Sequence, residues 1–311
     1  MKERLVIGTR ASALALWQAR WVKDSLAAGF PQCEIEIRHI DTTGDRIQDV
    51  PLAKIGGKGL FTKELEAAML AGEIDLAVHS MKDMPTELSP GLTIAAVTER
   101  LHPGDALVSP CYKTLDKLPR GARIGTSSLR RRAQLRCRRP DLEIVELRGN
   151  VDTRLRKLST DKLDGVVLAV SGLCRLGLDS RITQILPFEV CLPAAGQGAL
   201  AVETRSGDGT VMEMIKTLEH EPTRLAVAAE RALLAEMEGG CQIPIGVFAR
   251  IEGQLLHMDG LVADPEGRAC IRERLTGPRQ QAGELGRRLA RALLDRGGRE
   301  ILAKLRMETK Q

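Results

Sequence analysis

Aromatic side chains are nearly missing from this sequence: four Phe, two Trp and one Tyr make up 2% of its 311 residues. That scarcity removes the stacking platforms on which single-stranded nucleic acids are held. A net charge of +5 is also modest for a protein that grips a phosphate backbone, so no nucleic-acid partner is expected. Cysteines number seven, at 33, 111, 137, 174, 191, 241 and 270, and no two form a C-x-x-C pair. Such scatter argues against a disulfide framework or a zinc site and predicts a reducing, cytoplasmic setting. Long apolar runs are absent as well. The longest, such as Val166–Val170, are strand-sized, which predicts no membrane span. Met1-Lys2-Glu3-Arg4 runs straight into an apolar strand, so no signal or transit peptide is expected.

What is present is ordinary globular composition, 43% hydrophobic and 28% charged, in a chain long enough for two or three domains. Against that background one stretch stands out. Between Arg120 and Lys157 there are twelve Lys and Arg residues and only four acids, Asp141, Glu143, Glu146 and Asp152. Ala122–Thr126 reads as a short strand, and Ser127-Ser128 supplies N-cap chemistry for a helix beginning near Leu129. Arg130 and Arg131 then fall in the first helical turn, where free backbone N–H groups and the positive dipole end already favour anions. Cations placed where they are locally unfavourable point to a ligand with several negative charges. The pattern repeats at Glu143–Leu147, followed by Arg148-Gly149-Asn150 and a helix carrying Arg154. A third instance is expected at Ser171-Gly172-Leu173, with Arg175 in the first turn of the helix it opens. Both βα junctions would present arginines on the edge where parallel sheets bind ligands. Arg136, Arg138 and Arg139 read as a solvated helix face.

Along the chain, Leu5–Thr9 is a strand, Ala13 to about Ala28 a helix, and Glu34–Ile40 a strand. Asp41–Gly59 is long, Gly-rich and polar, either a functional lid carrying Lys54 and Lys58 or a solvated loop. Leu60–Gly72 reads as a helix and Asp75–Val78 as a buried strand ending in His79-Ser80-Met81-Lys82-Asp83-Met84-Pro85. That cluster lies at the sheet edge where chemistry is usually done, and Asp83 is its one carboxylate. The plain alternative for Asp83 is a turn residue before Pro85. Ile7-Gly8-Thr9 and Ile124-Gly125-Thr126 each end a strand before a helix, with Gln18 and Gln134 further on. The echo predicts two similar α/β domains facing each other across a cleft. Ala199–Glu203 would cross back into the first. The domains are placed at 1–99 with 199–217, at 104–195, and at 219–311. The last reads as a small α+β domain with a three-stranded antiparallel sheet and a final helix over roughly Gln280–Arg296. Cys241 sits in a glycine-flanked loop, as an accessible thiol or as a small buried residue.

Seven motifs occur in order: Ile7–Gln18 (IGTRASALALWQ), Gly56–Phe61 (GGKGLF), His79–Pro85 (HSMKDMP), Gly125–Arg131 (GTSSLRR), Leu147–Asn150 (LRGN), Leu192–Gly198 (LPAAGQG) and Glu238–Gly246 (EGGCQIPIG). Together they closely resemble the porphobilinogen deaminase (hydroxymethylbilane synthase) family over essentially the whole chain. Departures are small: Ala13 where the family often has Pro, Met84 for a smaller apolar residue, and Met237 before Glu-Gly-Gly-Cys.

The resemblance implies two periplasmic-binding-protein-like α/β domains and a third domain bearing a covalent dipyrromethane, thioether-linked to Cys241. It implies a transferase that deaminates four porphobilinogen molecules and joins them head-to-tail, releasing hydroxymethylbilane for tetrapyrrole biosynthesis. Asp83 would be the catalytic carboxylate. Ser80, Lys82, Thr126, Ser128, Arg130, Arg131 and Arg154 would hold the cofactor. Arg10, Gln18, Phe61, Arg148, Arg154 and Arg175 would hold the substrate, with no metal or nucleotide. Arginine suits pyrrole acetates and propionates because its planar fork pairs with carboxylate bidentately. A monomer is expected, since no apolar external stripe is evident. A non-catalytic binding protein for a small dicarboxylate or oxyanion would also use the arginines, yet it gives Asp83 and Cys241 no role. A nucleic-acid-binding regulator is the weaker third reading.

Overall fold

In this computed structural model, residues 2–46, 62–237 and 243–309 are described. Phe61, Cys241 and most of the stretch from Asp41 to Gly59 lie outside them. The strands are β1 (Arg4–Thr9), β2 (Glu34–His39), β3 (Leu76–Ser80), β4 (Leu92–Val97), β5 (Asp105–Val108), β6 (Arg123–Gly125) and β7 (Glu143–Val145). They continue with β8 (Gly165–Ala169), β9 (Gln184–Ile185), β10 (Leu200–Arg205), β11 (Ile245–Glu252), β12 (Leu255–Ala263) and β13 (Cys270–Pro278).

The chain packs into two units, Met1–Leu101 with Ala199–Arg224, and His102–Gly198 with Leu225–Gln311. The first unit carries a five-stranded sheet in the order β2-β1-β3-β10-β4. Its first three strands run parallel, while β10 is antiparallel to both β3 and β4. The second unit holds a sheet in the order β7-β6-β8-β5-β9, with β5 antiparallel to β8 and β9. With β5 in the place of β10, the two sheets have one topology, as the Ile-Gly-Thr echo predicts. Gly8 and Gly125 share a physical reason too. A Cβ on Gly8 would lie 2.3 Å from Ile74 Cδ1, and one on Gly125 would lie 2.8 Å from methyls of Leu147 and Leu163.

The inner strands β1, β3, β5 and β8 are covered on both faces, which is why they read as nearly unbroken apolar runs. In β1, Leu5 and Ile7 meet Val22 and Leu26 of the helix Ala13–Gly29. Val6 points the other way, toward Leu65 and Met69 of the helix Lys63–Leu70.

The C-terminal sheet, β11-β12-β13, is wholly antiparallel. One face, Val247, Leu256, Met258 and Val262, packs on Leu233 of the helix Glu221–Glu236 and on Leu285 and Leu289 of the helix Ala282–Leu293. The chain then breaks at Gly297 (φ 111°) and a further helix, Arg299–Thr309, follows. Sequence periodicity ends at Arg296 because the glycine pair interrupts the apolar spacing. A second correction concerns Arg175. Its helix is Val170–Arg175, so the arginine sits in the last turn. β8 stops at Ala169 and the helix starts at once, too short to place residue 175 near its beginning.

Candidate functional site

In the first unit, polar side chains gather where β3 ends. The strand runs into a single 3-10 turn, Met81–Asp83, anchored by Met81 N–H donating to Ala199 C=O at 3.0 Å. Asp83 is thereby left exposed and Lys82 half-buried, while Met81 and Met84 fill the space beneath. Facing them is the first turn of the helix Ala13–Gly29, where the Ser12 side chain accepts from Ala15 N–H. One turn on, buried Gln18 donates through Nε2 to Ser80 Oγ at 2.9 Å. Arg10, Ser12, Gln18, His79, Ser80 and Asp83 line one open depression. Five of these were singled out from sequence, and the fold brings them together.

In the second unit the arginines do not all share one fate. Ser128 caps the helix Leu129–Arg138, its Oγ accepting from Arg131 N–H, and Thr126 Oγ1 accepts from Ser128 N–H at 3.2 Å. Arg130 and Arg131 are both buried, and both meet Asp105. Arg130 Nη1 donates to Asp105 Oδ2 at 2.7 Å. Arg131 gives Nε and Nη2 to Oδ1 at 3.1 and 2.7 Å, and Nη1 to Val167 C=O at 2.8 Å. Burial alone would raise the Asp105 carboxyl, yet the two guanidiniums outweigh it and hold the group far below the usual carboxylate range. Burial likewise pushes the neighbouring Cys191 thiol up to about 12.

What the two arginines lack locally, the fold supplies from a distance. Their partner Asp105 is non-local, at the head of β5, which lies beyond β8 from the strand β6 that leads into their helix. Two cations against one carboxylate still leave a positive surplus, and Arg130 Nε and Nη2 bond to no described residue.

Arg148 has a looser setting. Its Nε reaches Glu146 at 3.4 Å, and its Nη2 is buried with no partner. Arg154 donates through Nε to Gly149 C=O at 2.8 Å, across the turn where Gly149 takes φ 109°. Arg175 is buried against Gly198 C=O at 2.7 Å, and burial pushes its guanidinium down to about 10. Among the described residues, no cluster of His, Cys, Asp or Glu is arranged to hold a metal ion. No described helix is long and apolar enough to cross a membrane.

Three buried residues escaped the sequence reading: Asp105, Glu203 and Gln197. Asp105 and Glu203 are both 0% exposed. Gln197 donates through Nε2 to Asp105 Oδ1 at 3.0 Å. Asp105 heads the apolar run Ala-Leu-Val, and Glu203 interrupts the buried strand Leu-Ala-Val-Glu-Thr. A lone carboxylate in an apolar strand was the available signal.

Residues 5–213 match the family model described as "Porphobilinogen deaminase, dipyromethane cofactor binding domain". Residues 224–295 match "Porphobilinogen deaminase, C-terminal domain". Porphobilinogen deaminase of Pelotomaculum thermopropionicum is 55% identical over 311 residues, covering 100% of both chains. That of Geobacter sulfurreducens is 54% identical, covering 97% of this chain and 95% of its own. Among solved structures, the methionine binding protein MetQ is similar at TM-score 0.46 and 13% identity, covering 70% of this chain and 89% of its own. The periplasmic aliphatic sulphonate binding protein SsuA from Escherichia coli is similar at TM-score 0.40 and 15% identity, covering 76% and 71%.

Proposed function

The chain belongs to the porphobilinogen deaminase family, and from that membership we propose how its residues divide the work. It deaminates porphobilinogen and joins four molecules head-to-tail on a covalent dipyrromethane, releasing hydroxymethylbilane. The observation that carries the reading is the combination of one exposed carboxylate, Asp83, with arginine N–H donors left over after the protein's own pairing. A carboxylated dipyrrole fits that donor set: Arg148 Nη2 is buried without a partner, and Arg130 has two nitrogens uncommitted among the described residues.

Arg130, Arg131, Arg154, Lys82, Ser80, Thr126 and Ser128 would hold the cofactor, attached through Cys241. When bound, the dipyrromethane supplies the nucleophilic ring carbon for the first addition. Arg10, Arg148, Arg154 and Arg175 would take the substrate's acetate and propionate groups, with Gln18 and Phe61 bordering its ring. Asp83 accepts the substrate's pyrrole N–H and stabilises the positive charge that develops as ammonia leaves. Gln18 and Ser80, bonded to each other, fix the wall beside it. We place the cofactor-bearing domain at 219–311, expect the segment 41–59 to act as a lid, and expect a cytoplasmic monomer.

Intact mass of the purified protein beside Cys241→Ala tests the reading. The wild type should exceed its sequence mass by a carboxylated dipyrrole, and the variant should not. An unmodified wild type that stays unmodified when given porphobilinogen would leave a carboxylate-binding protein instead.

A further inference from the structure

The depression in the first unit holds a second acidic group behind its wall. His79 stands on β3 opposite Ala201 of β10, and Glu203 lies two residues further along β10 on the same face. Such diagonal neighbours are within reach of long side chains. His79 Nε2 and Glu203 Oε2 meet at 3.1 Å, with 5% and 0% of the two side chains exposed. Glu203 Oε1 is buried with no hydrogen-bond partner among the described residues. The imidazole's other nitrogen, Nδ1, bonds to no described residue, and His79 lines the depression beside Asp83. Thr62 lines it too, its Oγ1 buried with no partner among the described residues.

A histidine that merely filled the core would not need a carboxylate at full burial. Burying a carboxyl group costs several kcal/mol unless a hydrogen-bonding partner answers it, and among the described residues that partner is His79. The pair therefore sets a carboxylate-anchored imidazole at the wall of the site.

Resting on the function proposed above, we propose that His79, oriented by Glu203, is the proton carrier of the reaction. It gives a proton to each departing ammonia and takes back the proton each coupling releases. The substrate's amine enters as ammonium. When its C–N bond breaks, the electron pair leaves with nitrogen as ammonia, and His79 protonates that lone pair so that ammonium departs. The new C–C bond uses a π pair of the terminal porphobilinogen-derived ring. The hydrogen on the attacked carbon then leaves as a proton, its bonding pair restoring the ring, and neutral His79 accepts it. Each addition breaks one C–N and one C–H bond, forms one C–C bond and carries the proton away on ammonium. No oxidant is needed, and His79 ends as it began. Asp83 can then keep its charge beside the cation throughout. Two acidic groups whose settings differ commonly divide such work. Glu203 acts through His79 and is a positioning residue.

His79→Gln keeps an amide to meet Glu203 and should fold and carry the same covalent mass as the wild type. Its turnover should fall by about 10²-fold or more, the usual scale for losing a proton-transfer group. Porphobilinogen deuterated at its free ring carbon should show a larger isotope effect on turnover in this variant than in the wild type. Imidazole at millimolar concentration should restore much of the turnover of His79→Ala. Glu203→Gln should lie between wild type and His79→Gln and show the same enlarged isotope effect. The proposal is overturned if His79→Gln turns over within about twofold of the wild type. It is equally overturned if activity is lost with no imidazole rescue and no change in isotope effect, because packing alone would do that. If the His79 variants do not fold, Glu203→Gln with an unchanged isotope effect overturns it. A wild type that never elongates would sink the proposed function instead, so the two failures are distinct.

Discussion

Individual side chains in this protein divide into those whose charge is answered within the fold and those whose charge is not. Asp83 is exposed at the end of β3, so its removal should cost chemistry and leave the core alone. Asp83→Asn should melt with the wild type and carry the covalent cofactor, while turnover falls by about 10²-fold or more, as for other groups aimed at developing charge. Near-normal turnover would rule out that role. Arg148 and Arg131 make a contrast. Arg148→Leu gives up only a 3.4 Å contact with Glu146 and should fold normally yet fail to load cofactor or elongate. Arg131→Leu strips half the cover from a fully buried Asp105. It should destabilise the protein by about 3–5 kcal/mol, the range for breaking a buried ion pair. Denaturant midpoints separate the two variants, and equal midpoints would show that Arg131 serves a ligand only.

At the level of strands and helices, much of the fold was legible because its causes are local. Ser128 caps its helix as the sequence implies, Ser12 caps the first helix in the same way, and the turn Gly253-Gln254 closes the β11–β12 hairpin with Gly253 at φ 59°. What stayed hidden was long-range. Asp105 meets arginines 25 and 26 residues away, and Glu203 meets His79 across 124 residues. No window of sequence contains either pair. The Ile-Gly-Thr echo was visible, but only the packed neighbours explain its glycine. At Gly125 a methyl would press on Leu147, Leu163 and Val166 at once. Gly125→Ala should therefore cost about 1–3 kcal/mol as an overpacked core does. An unchanged melting temperature would mean that β6 and β8 can spread to admit it.

Across the whole molecule, both units rest partly on carboxylates held below their ordinary range. In the first, burial raises Asp75, but Lys2, Val6 N–H and Arg205 together bring it down. In the second, Asp105 is held far lower by Arg130 and Arg131. A carboxylate depressed in the folded state contributes stability that is complete above its unfolded value of about 3.9 and drains away as pH falls toward the folded one. Stability to urea should hence be nearly flat from neutral pH to about pH 5 and fall steeply below about pH 4. Asp105→Asn removes the more deeply buried group, so the variant should begin weaker at neutral pH and then lose less on acidification. The two stability-against-pH curves should converge toward acid. Parallel curves would place the acid sensitivity elsewhere and would mean that the arginine surplus around Asp105 is not what its carboxylate holds in check.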